Sequence, residues 1–301
     1  MNTNLPAVSL IAVPGRRAAT IALAKELEDR GFAGIWCPSY GDCMALCQAL
    51  AGATTNMVFG TSIQPIYWRR AQELAGQSAF IHEVSGGRFR MGLGVSHGPS
   101  NERLGLQTGK PLTDIRAYVE SIKATEKQHG PGAPIVLATL RDKMLDLALE
   151  IGEGAVWANA SLKFMPHSVG RVPAARKDSF FLGNMIPTVI DDDRDAARGI
   201  NRRTMLGYVT LPNYRNYWKA AGYTEEMEAI EAALAKGDRD SLPGLMPDRW
   251  LDDVTLSGSA TQVREGVEAW QATGVTPILV PSAVTGGQMK AFDDVLAAYA
   301  K

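Results

Sequence analysis

The chain has only three cysteines, Cys37, Cys43 and Cys47, all within one eleven-residue stretch. An odd count with no partner elsewhere excludes a disulfide framework. No second cluster supplies further ligands for a metal, so the three read as small buried thiols. Nowhere does an apolar run approach the roughly 18 residues of a membrane span. The first one, Val8–Val13, is short and precedes its positive charges, so no secretory leader is expected and a cytoplasmic location is. Charge of one sign is missing too. Lys and Arg number 31 against 32 Asp and Glu, which predicts no nucleic-acid footprint. The pairs Arg16-Arg17, Arg69-Arg70 and Arg202-Arg203 read as solvated helix faces. Walker loops, GxSxG elbows and HExxH helices are absent. Val13-Pro14-Gly15-Arg16-Arg17 is not the glycine-rich turn of a dinucleotide fold.

What is present is a rhythm. Apolar runs predict strands at Val8–Val13, Gly34–Cys37, Met57–Ile63, Arg88–Val95, Pro134–Ala138 and Gly154–Ala158, within Ser179–Ile190, and at Val275–Pro281. Segments with helical periodicity separate them, among them Arg16–Arg30, Asp42–Ala53, Arg69–Val84, Pro111–Gln128, Asp142–Ile151 and Ala260–Thr273. A broken helix is expected over Leu162–Ala175, interrupted by Pro166 and Pro173, and a long one from Arg194 to Met205. Only Tyr208–Trp250 departs from the rhythm. It carries one clear helical piece, Glu225–Lys236, and reads as an insertion between strands seven and eight. Eight strands each followed by a helix predict an α/β fold, the (βα)8 TIM barrel, as a single domain over residues 1–301. A doubly wound open sheet is the alternative.

Chemistry in parallel αβ folds gathers where strands end. Two such ends carry polar and small residues here: Ser62-Ile63-Gln64-Pro65 after the third strand, and Gly94-Val95-Ser96-His97 after the fourth. Trp68, Tyr67, Tyr214, Tyr217 and Trp218 could line an apolar pocket or fill core.

The sequences GFAGIW (31–36), FGTSI (59–63), SGGRFRMGLG (85–94), GEGAVW (152–157) and LPNYRNYW (211–218) resemble those of the bacterial luciferase-like family of flavin- and deazaflavin-dependent oxidoreductases. The branch is similar to the coenzyme F420-dependent one, which includes methylenetetrahydromethanopterin reductase. The resemblance implies the same barrel, hydride transfer between F420 and a small organic substrate, and a homodimer built on Met44–Ala53 and Ala71–Ile81. Two alternatives remain open: an FMN-dependent monooxygenase fed by a separate flavin reductase, and a non-catalytic flavin-binding barrel. The family's non-prolyl cis peptide, which backs the deazaflavin ring, maps to Ser62–Ile63. Cofactor contacts map to Ser39, Ser62, Ile63, Gln64, Gly94 and Ser96, with the phosphate at Asn159, Ala160 and Ser161. The family's acid and histidine after strand two are missing, since that turn reads Cys37-Pro38-Ser39-Tyr40-Gly41-Asp42. Tyr40 and His97 are therefore the catalytic candidates. Imidazole titrates near neutrality, whereas a phenol near pH 10 is a poor base.

Overall fold

Gly31, at φ 84°, ends the first helix, Arg17–Arg30, in a left-handed conformation that side chains resist, and turns the chain toward a strand. The computed structural model describes residues 5–300, and these fall into two compact units: residues up to 157 with 172–183, and residues 158–171 with those from 184.

The first unit holds β1 (Ala7–Ser9), β2 (Ile35–Cys37), β3 (Phe59–Thr61), β4 (Gln64–Pro65), β5 (Phe89–Gly94), β6 (Ile135–Ala138) and β7 (Gly154–Ala158). They run parallel in the order β1–β2–β3–β5–β6–β7, with β4 beside β5. Nearly every strand residue is buried, which explains why the runs read as continuous rather than alternating apolar sequence. Two glycines allow the strands to approach. A Cβ on Gly60 would lie 2.5 Å from the Arg90 carbonyl oxygen, and one on Gly92 only 1.8 Å from that of Thr61.

The SGGRFR stretch is structural. Gly86 and Gly87 turn the chain at positive φ. Arg88 then donates to the carbonyls of Ser85, Ala51, Thr54 and Met57 and to Thr54 Oγ1, at 2.7–3.1 Å, closing the end of helix Cys43–Ala53. The Glu28 carboxylate accepts the amides of Thr55, Asn56 and Met57 at 2.6–3.0 Å. Together the two side chains fix the turn that launches β3.

The second unit contains most of β8 (Phe181–Ile190), with β9 (Leu256–Gly258) and β10 (Thr276–Ser282). β9 runs parallel to β8, Thr188 opposite Leu256, and β10 pairs with β8 as well. Helix Arg194–Val209 is capped by Asp193. It is bound to helix Asp248–Val254 by a ladder in which Arg194 and Arg198 reach Asp252, and Arg198 and Arg202 reach Asp248. Trp218 and Trp250, fully buried, meet edge to face at 4.9 Å.

The fold class is the α/β (βα)8 barrel expected from the rhythm, with β1, β2, β3, β5, β6, β7, β8 and β10 as its eight strands. Several boundaries differ from expectation. The first strand stops at Ser9 rather than Val13. Met57–Ile63 is not one strand: β3 ends at Thr61, a cis Ser62–Ile63 bond follows, and β4 begins at Gln64. The stretch 162–175 holds only the short helix Met165–Val169 and the start of a 3-10 turn, Ala174–Arg176, because Pro166 can only open a helix and Pro173 cannot continue one. The insertion carries helices Pro212–Ala220 and Thr224–Ala235 and the start of Asp248–Val254, rather than one. β9 is an additional strand after it.

Candidate active site

The site builds up from the ends of β3, β4 and β5. The Ser62 amide donates to the Cys37 carbonyl at 2.7 Å, carrying the hydrogen-bonded ladder one residue past β3. Across the cis bond, Gln64 and Pro65 register against Leu93 and Gly94. Ile63 is thereby brought over Gly94. A Cβ on Gly94 would lie 3.0 and 3.1 Å from Ile63 Cγ1 and Cδ1, and 2.8 Å from Ala138 Cβ on β6. Ile63, Gly94 and Ala138 therefore form a closely fitted apolar wall across three adjacent strands. Ala138 was not singled out in the sequence, since nothing local marks which residue of β6 will face Gly94.

Beyond Gly94 the chain bends. Ser96 has φ 61°, and His97 begins helix Gly98–Arg103, its carbonyl accepting the amides of Ser100 and Asn101. Burial of the His97 imidazole pushes its pKa below the ordinary 6.5. It is therefore neutral at pH 7 and able to accept a proton.

Ser39 and Gln64 line one open pocket of about 410 Å³ with Gly41, Asp42, Trp68, Arg69 and Glu73. Arg69 is held there by Asp42 at 2.9 Å and Glu73 at 3.7 Å. Gln64 itself is buried, its Nε2 donating to the Pro65 carbonyl and its Oε1 accepting from Cys43 Sγ. The three thiols are buried and uncrosslinked, as the sequence implied. Burial pushes Cys43 up to about 12, so it stays protonated. Tyr40, 79% exposed, projects into solvent and is not among the residues lining this pocket.

In the second unit the loop after β7 is committed to the protein. The amide of Asn159 donates to the Met185 carbonyl, that of Ala160 to Asn184 Oδ1 and that of Ser161 to the Tyr217 hydroxyl, at 3.0–3.3 Å. Ser161 Oγ donates to the buried Asp253 carboxylate, which also accepts from the Tyr223 hydroxyl and the Lys163 amide. None of the three amides expected to cradle a phosphate is uncommitted, and a carboxylate adjoins them. Asn184 Nδ2 is a buried donor with no partner among the described residues. Tyr214, Tyr217 and Trp218 are core, not pocket lining.

The luciferase-like monooxygenase family model matches residues 7–277. The chain belongs to this family. Among curated relatives, 5,10-methylenetetrahydromethanopterin reductase of Archaeoglobus fulgidus is 27% identical over 86% of this chain and 88% of its own length. The structure of coenzyme F420-dependent tetrahydromethanopterin reductase from Methanopyrus kandleri superposes with a TM-score of 0.77, at 21% identity, covering 98% of this chain and 97% of that one. The FMN-bound oxygenating constituent of 3,6-diketocamphane monooxygenase from Pseudomonas putida superposes with a TM-score of 0.59, at 17% identity, over 98% and 95%. These structural likenesses carry the fold. Within the family framework, the part-exposed side chains of Ile63 and Ala138 offer apolar surface to a ring. The 159–161 loop, with its donors spent, does not fit a phosphate in the same way.

Proposed function

We propose that this chain is an oxidoreductase that uses coenzyme F420 and acts on a small organic substrate. The observation that carries this is the wall of Ile63, Gly94 and Ala138, in which the part-exposed Ile63 and Ala138 close over the buried Gly94 so tightly that a methyl group there would meet them at 2.8–3.1 Å. F420, when bound, supplies the hydride. The chain's own part is to seat the ring on that wall, to place Ser62, Ser96 and His97 at its edge, and to exclude water. His97, neutral through burial, takes up or returns the proton that accompanies hydride transfer. Ser39 and Gln64 border the approach, and Tyr40 serves at most from outside. The amides of Asn159, Ala160 and Ser161 are spent inside the protein, so that loop is not assigned the cofactor phosphate.

The chain works as one luciferase-like domain and as a homodimer. Phe80 and Val84, one helical turn apart, are 54% and 51% exposed on helix Ala71–Val84, an apolar face that a second copy would cover. Titration of the purified protein with F420 and, separately, with FMN, followed by cofactor fluorescence, tests the reading. Saturable F420 binding is expected. Binding of FMN alone would favour the monooxygenase reading, to which the FMN-bound neighbour also points. Binding of neither would refute both.

A further inference from the structure

We propose that Asn101 is a positioning residue whose single carboxamide fixes two walls of the site, the Trp68 indole and the end of β5. The inference deepens the reading above and rests on it for its cofactor arm.

Asn101 is 2% exposed, inside helix Gly98–Arg103. Its Nδ2 donates to the Val95 carbonyl at 2.9 Å. Its Oδ1 accepts the Trp68 indole N–H at 3.1 Å. Its own amide returns to the His97 carbonyl at 3.1 Å. Val95 lies one residue before the Ser96 bend and two before His97, so the Val95 contact sets the direction in which β5 ends. Trp68 follows β4 and lines the same pocket as Ser39 and Gln64. The segments after β4 and β5 are therefore pinned to each other through one buried side chain. A carboxamide suits this place because it donates from one atom and accepts at the other without charge. An ionised carboxylate can only accept, and an aliphatic side chain can do neither.

Trp68 gives the test a clean signal. It is 36% exposed, whereas Trp36, Trp157, Trp218, Trp250 and Trp270 are at most 2% exposed. Acrylamide quenching of tryptophan fluorescence in the full chain therefore reads Trp68 alone, and Trp68→Phe should abolish the quenchable component. In Asn101→Leu both contacts are lost. Quenching should rise, and F420 affinity, measured by titration at neutral pH, should fall about tenfold, the scale of one buried hydrogen bond. In Asn101→Asp the two effects separate. The carboxylate still accepts from Trp68, so quenching stays at the wild-type level, but it repels the Val95 carbonyl and F420 affinity falls. Lowering the pH protonates this buried carboxyl, restores a donor to Val95 and returns affinity toward wild type, within one folded protein. The wild type should show no such recovery.

Unchanged quenching and F420 affinity in Asn101→Leu would overturn the proposal, as would Asn101→Asp without recovery at lower pH. If the wild type binds neither F420 nor FMN, the cofactor reading fails separately. The quenching arm, which needs no cofactor, then decides: wild-type quenching in Asn101→Leu overturns the clasp, and increased quenching supports it.

Discussion

Adding one methyl group at Gly94 puts the proposed ring-bearing wall under load. The new Cβ would lie 2.8 Å from Ala138 Cβ and 3.0 and 3.1 Å from Ile63 Cγ1 and Cδ1. Carbon atoms prefer separations of about 3.5–4.0 Å, so its neighbours must retreat by roughly 0.5 Å. Ala138 can do so only with the backbone of β6, whereas Ile63 can rotate. Overpacking of this kind costs about 1–3 kcal/mol. At about 2 °C per kcal/mol for a chain of this length, Gly94→Ala should lower the melting temperature by roughly 2–6 °C. Displacing Ile63 into the ring's place should weaken F420 binding by about tenfold or more. Ile63→Ala deletes both Ile63 atoms that clash. In that background Gly94→Ala should cost about 1 kcal/mol less than in the wild type, a coupling that a double-mutant cycle measures by thermal or denaturant melts. Additivity of the two substitutions within about 0.3–0.5 kcal/mol would refute the contact and the wall built on it.

Three other outcomes follow from the same structure. If His97 moves a proton, turnover should be flat above pH 6.5 and decline as the pH falls through its lowered pKa, and that limb should vanish in His97→Gln; an unchanged profile in the variant would remove His97 from the chemistry. The Glu28 carboxyl is held below its ordinary 4.5: desolvation opposes this, but the Asn56, Met57 and Thr55 amides outweigh it. Its contribution is therefore present above about pH 4.5 and lost as the pH falls through the lowered value. Glu28→Gln should destabilise the chain by about 1–2 kcal/mol at pH 7, because two of the three amides are exposed to water, and the gap should close toward pH 3 in calorimetric melts. Phe80→Glu should shift sedimentation from dimer to monomer at micromolar concentration, and an unaltered dimer would place the interface elsewhere.

The eight strands were legible because each buries both faces and so reads as a short apolar run between turn residues. β9 was not, because Leu256-Ser257-Gly258 offers one large apolar residue in three and its register comes from β8. Within the insertion, helix Thr224–Ala235 was legible, whereas Pro212–Ala220 and Asp248–Val254 were hidden by prolines that the structure places at helix starts, Pro212 and Pro247. The strand-end residues Ser62, Ile63, Gly94, Ser96 and His97 could be located from where the runs stop. Their partners could not. Ala138 meets Gly94 through sheet register, and the Asn159–Ser161 amides are spent on Met185, Asn184 and Tyr217, all distant in the chain. The cis Ser62–Ile63 bond was expected from family resemblance alone, since neither residue announces it.

Asp253 and the arginine ladder have a bearing on recombination between relatives. The irregular stretch 208–250 looks like an exchangeable cassette, with cut points at Tyr208 and Trp250. Cutting there separates Tyr223, inside the cassette, from Asp253 outside it, and Asp248 from Arg198 and Arg202. Asp253 is in turn bonded to Ser161 and to the Lys163 amide, so its environment is shared with a segment some ninety residues upstream. A graft that respects these bonds would carry residues 194–254 together and match the recipient's 159–163 loop to them. The transferable unit is thus a set of mutually bonded segments, discontinuous in sequence, whose junctions fall outside the stretch that looks foreign.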